Sequence, residues 1–173
     1  MIEQWVCAPK KKEKQSIALI KEVLFMKNEL VEFMKSKEPR IAIGITPFIP
    51  LSEFEMKIKA DKIVKFVNQR LLGRLYKRNE DALTGCYTIE IGKKHKKVHL
   101  HMLLFDHWIY DKRKYKIDIF EAIRGEIDTF NRIINPKTID IKHAHSKNLG
   151  YFLERMEETP NDPFAYLNWF YVF

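Results

Sequence analysis

Residues 85–105 read Gly-Cys-Tyr-Thr-Ile-Glu-Ile-Gly-Lys-Lys-His-Lys-Lys-Val-His-Leu-His-Met-Leu-Leu-Phe. Two strand-forming runs, Gly85–Ile91 and Lys97–Phe105, flank the turn Gly92-Lys-Lys-His-Lys-Lys, which predicts an antiparallel hairpin. Residues two apart in a strand share a face. Tyr87, Ile89 and Ile91 then go with Val98, Leu100, Met102 and Leu104 towards a layer of helices. Cys86, Thr88 and Glu90 go with His99 and His101 on the other side. Two imidazoles and a carboxylate on one face of neighbouring strands predict a divalent-metal site with open coordination positions. Such ligands suit Mn²⁺, Fe²⁺ or Zn²⁺ best and Mg²⁺ less well. The plain alternative is an ordinary polar outer face with solvated histidines.

Outward from the hairpin, the pattern alternates. Arg40–Phe48 (RIAIGITPF) reads as a buried strand closed by Pro47 and Pro50. Ser52 and Glu55 have capping-box spacing and open a helix running to about Arg78. Asp118 and Glu121 repeat that spacing at the start of a second helix, which Asn135-Pro136 ends. Thr138–His143 is a short strand, and Ser146 caps a last helix reaching about Glu158. The resulting order, β-α-β-β-α-β, predicts an α+β fold, the ferredoxin-like split unit with an antiparallel sheet and helices on one face. A helical extension precedes it (residues 1–38, with apolar positions at helical spacing from Glu13 to Lys37) and a tyrosine-bearing helix follows. We read 1–173 as one domain, with 40–158 as the core and 159–173 as an aromatic tail that packs on the domain or on a partner.

The chain has 173 residues and a formal charge of +8, from 31 Lys+Arg against 23 Asp+Glu. That balance favours polyanionic partners. Candidate phosphate contacts are Arg70, Arg74, Lys77 and Arg78 at the end of the first core helix. Lys93, Lys94, Lys96 and Lys97 form the hairpin turn. Lys112 and Arg113 are interleaved with Trp108, Tyr110 and Tyr115, a mixture that suits single strands. Cys7 and Cys86 are the only cysteines, with no paired spacing for zinc, as expected in a reducing compartment. Charges stand where a signal peptide would have an apolar core, and no apolar run reaches the ~18 residues of a membrane span. A cytoplasmic protein with no membrane partner is expected.

Tyr-Thr-Ile-Glu-Ile-Gly, a basic turn and Val-His-Leu-His-Met-Leu-Leu-Phe together resemble the central motif of the HUH endonuclease superfamily. Arg40–Phe48 resembles the family's first motif, a hydrophobic strand ending in Thr and an aromatic residue. The likeness spans roughly residues 40–158. It implies a rolling-circle replication initiator of a phage, virus or plasmid, working in the host cytoplasm. It also implies a metal, Mn²⁺ or Mg²⁺, on Glu90, His99 and His101, and a helix-borne nucleophile at Tyr151. Single-stranded DNA would be nicked by a hydrolase-like nucleotidyl transfer that leaves a covalent 5′-phosphotyrosine and a free 3′-OH. The family's usual Lys three residues after the tyrosine is Glu154 here. The positive charge then falls to Lys147 or Arg155, which flank Tyr151 at helical spacing, or the reaction is impaired. No G-x-x-x-x-G-K loop is present, so unwinding and extension would come from a host helicase and polymerase. The oligomeric state is open, a homodimer included. A transposase or relaxase of the same superfamily, a small metal hydrolase or Fe(II) oxygenase, and a non-catalytic nucleic-acid-binding domain are the rival expectations.

Overall fold

The computed structural model describes residues 28–77, 81–92, 97–112, 115–125, 135–144 and 168–170, together with 25 and 132. The first described helix, α1, covers 28–36. It ends where Glu38 takes the left-handed conformation (φ 50°) and donates its N–H to the Lys35 carbonyl at 2.9 Å, directly before Pro39. The chain then forms β1 (Pro39–Ile45), α2 (Glu53–Leu72), β2 (Gly85–Ile91), β3 (Val98–Phe105), α3 (Tyr115–Arg124), β4 (Ile139–His143) and β5 (Asn168–Phe170). Every strand pairing is antiparallel, and the order across the sheet is β4-β1-β3-β2-β5. The fold is α+β.

Helix α2 starts where the sequence predicts. Ser52 Oγ accepts from the Glu55 N–H at 3.2 Å, and Glu55 Oε2 accepts from the Ser52 N–H at 2.8 Å. The helix stops at Leu72, earlier than the expected Arg78, because Gly73 adopts φ 59° and a short 3-10 turn (Leu75–Lys77) follows. Helix α3 departs further from expectation. It begins at Tyr115, so Asp118 and Glu121 lie inside the helix and form no capping box. Their carboxylates instead pair with Arg70 of α2, Asp118 at 3.8 Å.

Alternation along the strands sorts the core. Ile41, Ile43, Ile45, Tyr87, Ile89, Leu100, Met102 and Leu104 pack under α2 and α3. Asn68, buried in α2, donates to the Val64 carbonyl at 2.9 Å and accepts from the Leu83 N–H at 2.7 Å, which ties the lead-in to β2 onto the helix. The second face is not bare, as helices on one side only would leave it. Leu30 and Met34 of α1 cover Ala42, Cys86, Leu103 and Phe105 there. Helix α1 therefore covers the Ala42, Cys86 and Leu103 part of that face, and the histidines are not among the residues it packs on. The tail contributes β5, whose Phe170 joins the core beside Gly85. No helix among the described residues is long and apolar enough to cross a membrane.

Candidate metal and phosphate site

Register places the functional side chains in rows across the second face. Ala42, Leu103 and Cys86 form the row under α1. Gly44 and Thr88 flank His101 in the next row, with Asp140 of β4 beyond Gly44. In the row after that, Glu90 lies opposite His99. The face assignment made from alternation holds for all three expected ligands.

The side chains then choose partners. His101 Nε2 donates to Glu90 Oε2 at 3.1 Å, a diagonal contact between β3 and β2, with both groups about four-fifths buried. Burial is the main influence on the His101 imidazole and lowers its pKa from the ordinary value. Glu90 opposes that shift, while His99 and Lys142 reinforce it. The contact at neutral pH is therefore a hydrogen bond from a neutral ring to a carboxylate. His99 is turned towards β1, where its Nδ1 shares a 2.9 Å hydrogen bond with Thr46 Oγ1. The two rings lie nearly parallel with centroids 6.4 Å apart. Gly92 makes room for this pose, since a Cβ there would stand 2.7 Å from His99 Nε2.

Among the described residues, no three His, Cys, Asp or Glu side chains already converge on one point at metal distance. The donor chemistry nevertheless fits a divalent cation. Glu90 and His101 are in contact, and His99 stands one row away on the same face. Thr46 can accept from His99 Nδ1–H, which leaves Nε2 as the ligating atom beside the Gly92 gap, the arrangement by which outer partners orient ligating histidines. Thr88, directly across from His101, adds a buried hydroxyl with no hydrogen-bond partner among the described residues.

Alternation in the hairpin sequence was enough to place Glu90, His99 and His101 on one face. Thr46, Thr88, Asp140 and Lys142 were missed as site residues. Thr46 had a signal, as the residue closing the first motif; Asp140 and Lys142 enter only through the β1–β4 pairing. Lys142 Nζ holds Asp140 Oδ2 at 2.6 Å on this face.

Tyr151, Lys147 and Arg155 lie outside the described residues, as do Arg78, Lys93, Lys94, Lys96 and Arg113. The remaining cations divide between the two ends of the sheet. Strand β1 ends, β2 ends and β3 begins at the end bearing Glu90, His99 and Lys97. Helix α2 runs away from that end, so Arg70, Arg74 and Lys77 sit at the far end, on the opposite face from the histidines. Arg70 is also engaged by Glu121 and Asp118. Trp108 and Lys112 follow β3 at the far end too, with the Lys112 ammonium 4.7 Å over the indole. Tyr110 is buried and packs on Tyr115, so it presents no ring to a base. Of the expected single-strand surface at 108–115, Tyr110 belongs to the core, while Trp108 stays about half exposed with Lys112 over its ring.

His107 caps the short turn at Trp108–Asp111. Its Nδ1 accepts from the Ile109 N–H at 3.2 Å, and its Nε2–H donates to the Asp81 carbonyl at 3.2 Å. The bond accepted at Nδ1 needs the neutral ring, and burial, outweighing the Asp81 carbonyl, lowers the pKa, as burial does for His101. For a base held neutral in the folded state, the unfolded chain binds the proton more readily. Stability is then full above the unfolded pKa of about 6.5 and falls as pH drops below it towards the folded value. The expected result is a melting temperature that declines from pH 7 to pH 5, with a smaller decline in His107→Gln, read by thermal unfolding in matched buffers.

Compared with family models, curated proteins and solved structures, the chain finds no match in any of the three.

Proposed function

We propose that the protein is a metal-dependent nickase and strand transferase for single-stranded DNA, most like a rolling-circle replication initiator. The carrying observation is the Glu90–His101 contact with His99 on the same face, anchored by Thr46 from the end of β1. Two motifs that are distant in sequence, 40–48 and 85–105, thus meet at one place. The β-α-β-β-α-β order with β4-β1-β3-β2 adjacency supports reading the core as the ferredoxin-like split unit.

Glu90, His99 and His101 would hold the cation, which when bound offsets the charge of a scissile phosphodiester. Thr46 fixes the tautomer and orientation of His99. Tyr151 is the proposed nucleophile. Its phenol gives up a proton, its oxygen bonds phosphorus, and the 3′ oxygen leaves and takes up a proton. The 5′-phosphotyrosine keeps the phosphodiester energy, so a later 3′-OH can reverse the step. Lys147 or Arg155 would supply positive charge near the phenol, and host helicase and polymerase would act before and after.

Tyr151→Phe is expected to abolish covalent DNA–protein adducts while leaving oligonucleotide affinity within about twofold, since one hydroxyl is removed. Denaturing electrophoresis of labelled oligonucleotides with Mn²⁺ reads the outcome; adducts persisting in the variant would remove Tyr151 from the role. Glu154 favours a second reading, a nucleic-acid-binding domain without cleavage. Salt-sensitive binding with no nicking of any single-stranded library would select it.

A further inference from the structure

Of the ten large apolar side chains exposed among the described residues, five (Phe48, Ile49, Phe54, Ile58 and Ile91) belong to the end of the sheet that carries Glu90 and His99. Phe48 and Phe54 are the most exposed of these, at 67% and 72%. Their placement follows from the connection between β1 and α2. Thr46 lies on the histidine face, whereas α2 packs on the other, so residues 46–54 wrap round this end. The Tyr87 hydroxyl donates to Asp61 Oδ1 at 2.7 Å. That bond ties the middle of α2 to β2, and Phe54 and Ile58 lie on the turns of α2 before it. Pro47 and Pro50 bracket Phe48 and limit the conformations its loop must lose on binding.

We propose that Phe48 and Phe54 form a stacking platform for the bases of a single strand whose backbone enters the Glu90–His101 site. The inference rests on the nickase reading and names the surface through which that substrate is held. Three features favour a nucleic-acid strand over an apolar protein partner. Phe48 follows Thr46, which is bonded to His99, by two residues, and Phe54 follows on the first turn of α2. Exposed Lys57 and Lys65 lie on the same helix, in a chain of net charge +8. Of the two carboxylates in the first helical turn, Glu53 and Glu55, Glu55 is turned back onto Ser52. Aromatic faces beside cations are the general device for holding unpaired bases.

Fluorescence anisotropy with a labelled mixed-sequence oligonucleotide and a blunt duplex of equal length, each at two salt concentrations, tests the proposal. Phe48→Ala and Phe54→Ala are each expected to weaken single-strand binding about fivefold to a hundredfold. The salt slope should stay unchanged, because no phosphate contact is lost. Phe48→Trp should retain affinity and Phe48→Leu should not; neither should alter duplex binding. Wild-type affinity in Phe48→Ala and Phe54→Ala, or full affinity in Phe48→Leu, overturns the platform while leaving nicking by the wild type intact. Ring-dependent binding without metal-dependent nicking would instead sink the nickase reading and keep the platform. A wild-type protein that binds no single strand overturns both.

Discussion

His101→Ala is expected to fold, to bind single-stranded oligonucleotides within about threefold of wild type, and to lose Mn²⁺-dependent cleavage by roughly a thousandfold or more. The ring is partly exposed at the edge of the region that α1 covers, so its truncation opens no closed cavity. It removes a proposed cation ligand and leaves Glu90 without its neutral donor. Single-turnover cleavage of a labelled strand measures the loss, and circular dichroism verifies the fold. Cleavage within tenfold of wild type would show that the reaction does not pass through this imidazole.

Gly85→Ala is the corresponding expectation for the fold. Gly85 opens β2, opposite Leu104 on one side and Phe170 on the other. A Cβ there would overlap the Leu103 carbonyl oxygen and the ring of Phe170. One obstacle is backbone and cannot rotate aside; the other is an aromatic ring seated in the core. Overpacking of this kind costs about 3 kcal/mol. In a chain of this size that lowers the melting temperature by roughly 6–12 °C. The tail is displaced first, so removing residues 168–173 in the variant should recover part of the difference relative to the same truncation alone. A melting temperature unchanged by Gly85→Ala would mean that β5 does not pack against β2 in solution.

Much of this architecture could be read from residue order because local and long-range signals agree along it. Alternation in 85–105 gave the hairpin and its two faces because one face is buried and the other polar, which pins register. The capping box at Ser52 and Glu55 is a local device and was found locally. The same spacing at Asp118 and Glu121 misled. Those carboxylates serve Arg70, which lies 48 and 51 positions earlier, and no local pattern reports such a partner. The roof that α1 places on the second face and the strand formed by 168–170 were likewise hidden, since both depend on which apolar surfaces the rest of the fold leaves open.

The site divides in the same way. Glu90, His99 and His101 were legible from strand period and turn length alone. Thr46 as the anchor of His99, and Asp140 with Lys142 beyond Gly44, depend on β1 lying between β3 and β4, a non-local pairing. Composition could show that the chain is basic, but it could not show that Arg70 pairs with Asp118 and Glu121 or that Lys112 sits on Trp108. Nor could residue order show that Phe48 and Phe54 are left exposed where the chain passes from β1 into α2.

Proton NMR of the histidine ring signals during titration with Mn²⁺ tests the metal site most directly. The paramagnetic ion should broaden His99 and His101 at substoichiometric metal while His107, hydrogen-bonded at the far end of the sheet, stays sharp; Glu90→Gln should weaken the effect. Sharp His99 and His101 signals at excess Mn²⁺, or equal broadening of all the histidines, would contradict a cation held on this face.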